Sequence, residues 1–99
     1  MTKAALARVR THPGEVLREE FLVPLGMSAR EVAEAIGVPS NRISDVTRER
    51  RGVTADTALR LGKFFGQSPQ FWLNLQLAHD LWKAEATVDL SAVPQRIRA

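Results

Sequence analysis

Proline and glycine cut this chain at intervals that suit short helices and little else. Pro13, Pro24 with Gly26, Gly37 with Pro39, Gly52, and Gly66 with Pro69 bound segments of about ten residues. No stretch of five or more residues alternates cleanly between apolar and polar, so strands have little support outside the chain ends. Helices remain.

Each segment carries the start and stop chemistry of a helix. The first opens at His12-Pro13, with proline in the first turn and Glu15, Glu19 and Glu20 following. Its apolar face is Val16, Leu17, Phe21 and Leu22, and Pro24 with Gly26 ends it. Ser28-Ala29-Arg30-Glu31 is a capping box for a second helix, which runs through Val32, Ala33 and Ile36 to Gly37. A third begins near Pro39-Ser40 and places Ile43 and Val46 on one face. Thr54 caps a fourth with Asp56 in its first turn and an inward stripe of Ala58, Leu61, Gly62 and Phe65. Ser68-Pro69 starts a fifth that reaches about Glu85. The expected fold is all-α, five helices over residues 13–85. A basic arm over residues 1–12 holds Lys3, Arg8 and Arg10, and a short extended tail covers residues 86–99.

Composition narrows the function. The 99 residues hold no cysteine, which removes disulfides, zinc knuckles and thiol nucleophiles and suits a cytoplasmic setting. His12 and His79 are the only histidines, so neither a metal site nor any other cofactor is expected. No apolar run approaches membrane-spanning length, and residues 1–8 are too short for a signal peptide, so neither a membrane span nor a secretory leader is expected. No nucleophile sits beside a base, no acidic pair marks a pocket, and no glycine loop would hold phosphate, which argues against an enzyme. The net charge is +3, and the basic residues have an address: Arg42, Arg48, Arg50 and Arg51 cluster against Asp45 and Glu49.

Residues 28–48 act as a unit. Two helices meeting at a sharp angle need a small residue at the contact, here Ala33, and a residue tolerant of positive φ at the turn, here Gly37. Ile36, Val38, Ile43 and Val46 lock the angle. This is the pattern of a helix-turn-helix. The rest of the third helix is polar, and Ser40, Asn41, Arg42, Ser44 and Arg48 are the candidate base contacts. Ser28, Thr47, Arg50, Arg51 and Thr54 are the candidate phosphate contacts. A glycine turn between amphipathic helices also occurs in ordinary bundles, with a solvated polar face. The arginine cluster favours the nucleic-acid reading.

Longer stretches then resemble a known family. Thr11-His12-Pro13-Gly14-Glu15-Val16-Leu17-Arg18-Glu19-Glu20-Phe21-Leu22 and Pro24-Leu25-Gly26-Met27-Ser28 are similar to the opening of HigA-type (VapI-like) antitoxins. Val38-Pro39-Ser40-Asn41-Arg42-Ile43-Ser44, residues 51–61 and residues 65–76 continue the likeness. The resemblance implies an XRE/Cro-type helix-turn-helix domain, a partner toxin of the HigB type that cleaves mRNA, and dimeric repression of the pair's own operon. One position departs. The family often has Asn-Gly after the recognition helix where this chain has Arg48-Glu49, so that helix is expected to run a turn further.

The fifth helix implies a second molecule. Phe71, Leu75, Ala78 and Trp82 form one stripe and Leu73, Leu77 and Leu81 another, together spanning roughly 200° of arc where one small core needs little over 100°. Leu73, Leu77 and Leu81 are the candidate homodimer interface, unless Leu90 and Val93 of the tail fold back over it. A two-fold pair would read an inverted repeat in double-stranded operator DNA. Two other functions stay open: a stand-alone repressor without a toxin, and an interaction module that sequesters a protein without binding DNA.

Overall fold

The computed structural model describes residues 11–97, so Lys3, Arg8 and Arg10 of the basic arm lie outside the described residues. Five helices in the expected order make up those residues, with no strand among them. α1 covers residues 13–25, α2 Ala29–Ile36, α3 Ser40–Thr47, α4 Ala55–Phe65 and α5 Pro69–Thr87.

The helix starts are chemical. His12 Nδ1 accepts the Gly14 amide at 2.9 Å and Pro13 occupies the first helical position. α1 is not a plain α-helix. It begins as Pro13–Val16, widens into a π-helical stretch at Leu17–Leu22 and closes with Val23–Leu25. Pro24 explains the need for the wide turn. Its ring would strike the carbonyl four residues back in an α-helix, and a looser turn carries that carbonyl away. Left-handed glycines end α1, α2 and α4, at Gly26, Gly37 and Gly66.

One core holds the bundle. Val16, Leu17, Leu22, Val32, Ala33, Ile43, Val46, Val53, Ala58, Leu61, Trp72 and Leu75 are buried together. Phe21 joins three helices, with ring centroids 4.8 Å from Phe65 and 5.4 Å from Trp72. Gly14 lets the start of α1 reach α3: a Cβ there would lie 1.8 Å from the Val46 carbonyl oxygen. Any side chain at this position would push the recognition helix away.

α5 departs from the expected pattern. The fully buried residue is Trp72, its indole N–H donating to Gln67 Oε1 at 2.8 Å, while Trp82, expected inward, is 42% exposed. The core ends before Trp82 is reached. Leu73 packs partly against the core, whereas Leu77 and Leu81 are 65% and 56% exposed. α5 continues to Thr87 rather than Glu85, and Leu90 and Val93 of the tail do not fold back, both being exposed. The radius of gyration, 15.7 Å, accordingly exceeds the value of about 13 Å for a compact chain of this length.

Candidate nucleic-acid interface

The surface is built outward from the turn between α2 and α3. Gly37 sits at φ 76° and the Val38 amide returns to the Ala33 carbonyl at 3.0 Å, closing α2. Ala33, Ile43 and Val46 are fully buried across the joint, which fixes the angle at which α3 leaves. Ser40 and Asn41 then stand exposed at the start of α3, and Ser44 is half-buried one turn on, its hydroxyl 3.4 Å from the Asn41 carbonyl. Thr47 donates its hydroxyl to the Ser44 carbonyl at 2.8 Å and so turns inward along the helix. Arg48 is exposed at the helix end. The candidate base-reading side chains therefore share one helix, except that Arg42 leans away, its Nη1 2.8 Å from Asp56 Oδ1 on α4.

The recognition helix does not run a turn further. It ends at Thr47, and Glu49 takes the left-handed conformation at φ 61° that glycine would ordinarily fill. The Glu49 amide bonds the Val46 carbonyl and the Arg50 amide bonds the Asp45 carbonyl, each at 2.9 Å, a Schellman ending without its glycine. Arg18 of α1 supports this ending. It donates through Nη1 to the Thr47 carbonyl and lies 3.8 Å from the Glu49 carboxylate.

The stop frees the arginine loop. Arg50 and Arg51 lie beyond the helix and are exposed, with Arg51 Nη2 3.7 Å from Asp45 Oδ2. Gln76 of α5 anchors the loop's far side by accepting the Val53 amide at 2.7 Å. Thr54 caps α4, accepting the Thr57 amide at 3.4 Å. Ser28 caps α2: its hydroxyl accepts the Glu31 amide at 3.0 Å and its own amide donates to Glu31 Oε1 at 2.9 Å. That amide holds the Glu31 carboxyl below its ordinary range. A carboxylate thus already occupies the α2 N-terminus.

Long polar side chains that reach distant backbone complete the frame, and no spacing in the sequence marks them. Arg60 of α4 donates to the Ile36 carbonyl at 2.7 Å, neutralising the end of α2. Arg18 does the same for α3, and Gln76 instead accepts a backbone amide of the loop, that of Val53. Opposite the loop, His12 and His79 meet edge to face at 4.9 Å, on a groove of about 600 Å³ that Arg50, Arg51, Trp82 and Lys83 also line. Burial first, then His79, lowers the His12 pKa from its ordinary 6.5. No group of three or more metal-ligating side chains occurs among the described residues, and none of their helices is long and apolar enough to cross a membrane.

Two helices locked at a glycine turn, the second presenting a polar face and an arginine loop, define a helix-turn-helix protein. A family profile described as "Helix-turn-helix" matches residues 17–72. Virulence-associated protein I of Dichelobacter nodosus is 57% identical over 74 residues, covering 75% of this chain and 68% of that protein. Among solved structures, the antitoxin HigA of Pseudomonas aeruginosa with the higBA promoter superposes with a TM-score of 0.83 at 39% identity, over 89% of this chain and 98% of the other. The antitoxin GraA in complex with its operator gives 0.84 at 46% identity, over 91% and 93%. The chain belongs to the XRE-type helix-turn-helix family, among its HigA- and VapI-like members.

Proposed function

We propose that this chain is an antitoxin that represses its own operon: it binds an inverted-repeat operator as a homodimer and neutralises an mRNA-cleaving RNase toxin of the HigB type. The observation that carries the reading is α3 itself. Ser40 and Asn41 project from a helix whose opposite face is wholly buried, on a frame shared with two antitoxins solved with promoter or operator DNA. Ser40, Asn41, Ser44 and Arg48 read bases, and the phosphate candidates are Arg50, Arg51, Thr47, Thr54 and Ser28, the hydroxyls of the last three being already bonded within the chain. Of the latter, Arg50 and Arg51 have the best placement, because the helix stops before them.

Pairing follows from α5. Leu77 and Leu81 leave a stripe that a second copy would cover, placing two recognition helices on one face of the duplex. The chemistry of the family is regulatory, and nothing in the proposed roles requires a cofactor.

The test pairs DNA binding with toxin capture. Asn41→Ala should lose about 1–3 kcal/mol on the cognate site while binding random duplex unchanged. Equal losses on both would remove Asn41 from base readout. Co-expression with the neighbouring reading frame should yield a complex and restore growth. Operator binding without any such partner would leave a stand-alone repressor.

A further inference from the structure

Arg42 follows Ser40 and Asn41 on α3, the helix proposed to meet DNA, yet its guanidinium is engaged elsewhere. Its Nη1 lies 2.8 Å from Asp56 Oδ1, and its side chain is only 30% exposed. The same carboxylate oxygen receives Arg60 Nε at 2.8 Å. Arg60 in turn holds the carbonyls of Ile36 at 2.7 Å and Gly37 at 3.5 Å. One carboxylate therefore links the recognition helix, through α4, to the closed end of α2. Two guanidinium groups share it. Arg60 cannot leave without abandoning the α2 terminus, but Arg42 makes no other side-chain bond among the described residues.

This arrangement sets up a competition. Binding to random DNA rests almost entirely on cations meeting phosphates, so every arginine available to a phosphate raises affinity for every sequence. A guanidinium held by a carboxylate is withdrawn from that pool and kept in one orientation. We propose that Asp56 is a specificity-determining positioning residue, which holds Arg42 in place on α3 and withholds it from the phosphates of non-cognate DNA. The inference rests on the DNA-binding reading above. It adds a residue outside the helix-turn-helix unit that lowers affinity for the wrong sequences instead of raising it for the right one.

The experiment measures binding against salt on two duplexes, one selected by this protein from a random pool and one unselected of equal length. Asp56→Asn should steepen the salt dependence on unselected duplex by about 0.9 in log–log slope, the contribution of one added phosphate contact. The ratio of selected to unselected affinity should fall several-fold. Glu20→Gln on α1, which removes one exposed acid outside this network, should leave the slope unchanged. Adding Arg42→Gln to Asp56→Asn should restore the original slope, and Arg42→Gln alone should leave the unselected slope as it is. An unchanged slope in folded Asp56→Asn overturns the proposal, as does a slope that Arg42→Gln alone reduces by about one unit. Should Asp56→Asn not fold, the Arg42→Gln measurement decides by itself. Failure of the wild type to select any duplex would instead overturn the DNA-binding reading, and this inference with it.

Discussion

Arg18, in the π-helical part of α1, donates a hydrogen bond to the carbonyl of Thr47, the last residue of the recognition helix. A helix leaves its final carbonyls without partners, and a cation there meets both the free acceptor and the negative end of the dipole. The wide turn of α1 and the end of α3 are thus one structural unit. Arg18→Ala should cost about 1.5–3 kcal/mol, the range for a hydrogen bond to a charged group. Urea unfolding gives that number. A loss below a few tenths of a kcal/mol would mean that water replaces the guanidinium without penalty.

Glu49 sits where glycine belongs. An L-residue in the left-handed region costs about 1 kcal/mol or slightly more, and its ion pair with Arg18 is long and partly exposed, so it returns little. Glu49→Gly should therefore raise stability by about 0.5–1 kcal/mol. Thermal unfolding at neutral pH reads the gain directly. A lower midpoint would show that the carboxylate stabilises the loop by more than its backbone strains it.

Acid should weaken the fold through His12. The ring is buried, its Nδ1 accepts the Gly14 amide, and its pKa lies below 6.5 because of burial first and His79 second. Lys83 acts in the same direction, and Glu49 and Asp80 oppose it. The unfolded chain takes up its proton near 6.5 and the folded chain only at lower pH. Below 6.5 the unfolded state binds more protons, so stability falls as pH falls and levels off beneath the folded value. His12→Asn keeps a capping acceptor and should flatten the unfolding midpoint between pH 7.5 and 5.5. A variant that loses as much as the wild type over that window would falsify the assignment.

Leu77 carries the test of pairing. It is 65% exposed on α5, so Leu77→Glu removes no core contact and should keep helicity and melting nearly intact. Burying two or three leucines per chain at about 2 kcal/mol each gives a gross gain of order 10 kcal/mol before association costs. The variant should sediment as a monomer, and its affinity for an inverted repeat should fall by orders of magnitude. A wild type that is monomeric at tens of micromolar ends the idea. A variant that remains dimeric moves the interface toward Val88 and Leu90.

What could be read from the sequence was local. Ser28 and Glu31 satisfy each other three residues apart, Thr54 caps its own helix, and Gly37 is needed by the turn it makes, so each can be inferred from its neighbours. Ala33, Ile43 and Val46 follow from helical period. Trp72 escaped because the docking angle of α5 is set by Phe21 and Phe65 on other helices, which no period within α5 contains. Arg18, Arg60 and Gln76 escaped for a related reason: each reaches backbone 23 or more positions away, and a flexible polar side chain leaves no spacing signature. Glu49 misled in the opposite way. Its type argued for continued helix, while the Schellman bonds to Val46 and Asp45 took the chain through a left-handed turn regardless.

The far half of α5 and the tail stand away from the core, with Leu77, Leu81, Val88, Leu90, Val93 and Ile97 all more than half exposed. An exposed segment with few contacts to the core is where proteases cut first. If a second copy covers this arm as proposed, the protection that it receives depends on how much protein is present. Dilution then exposes the arm and shortens the life of each chain, so that a drop in synthesis would be amplified by faster loss. The same leucines that would set the spacing of the recognition helices in the proposed pair would make the protein a sensor of its own abundance.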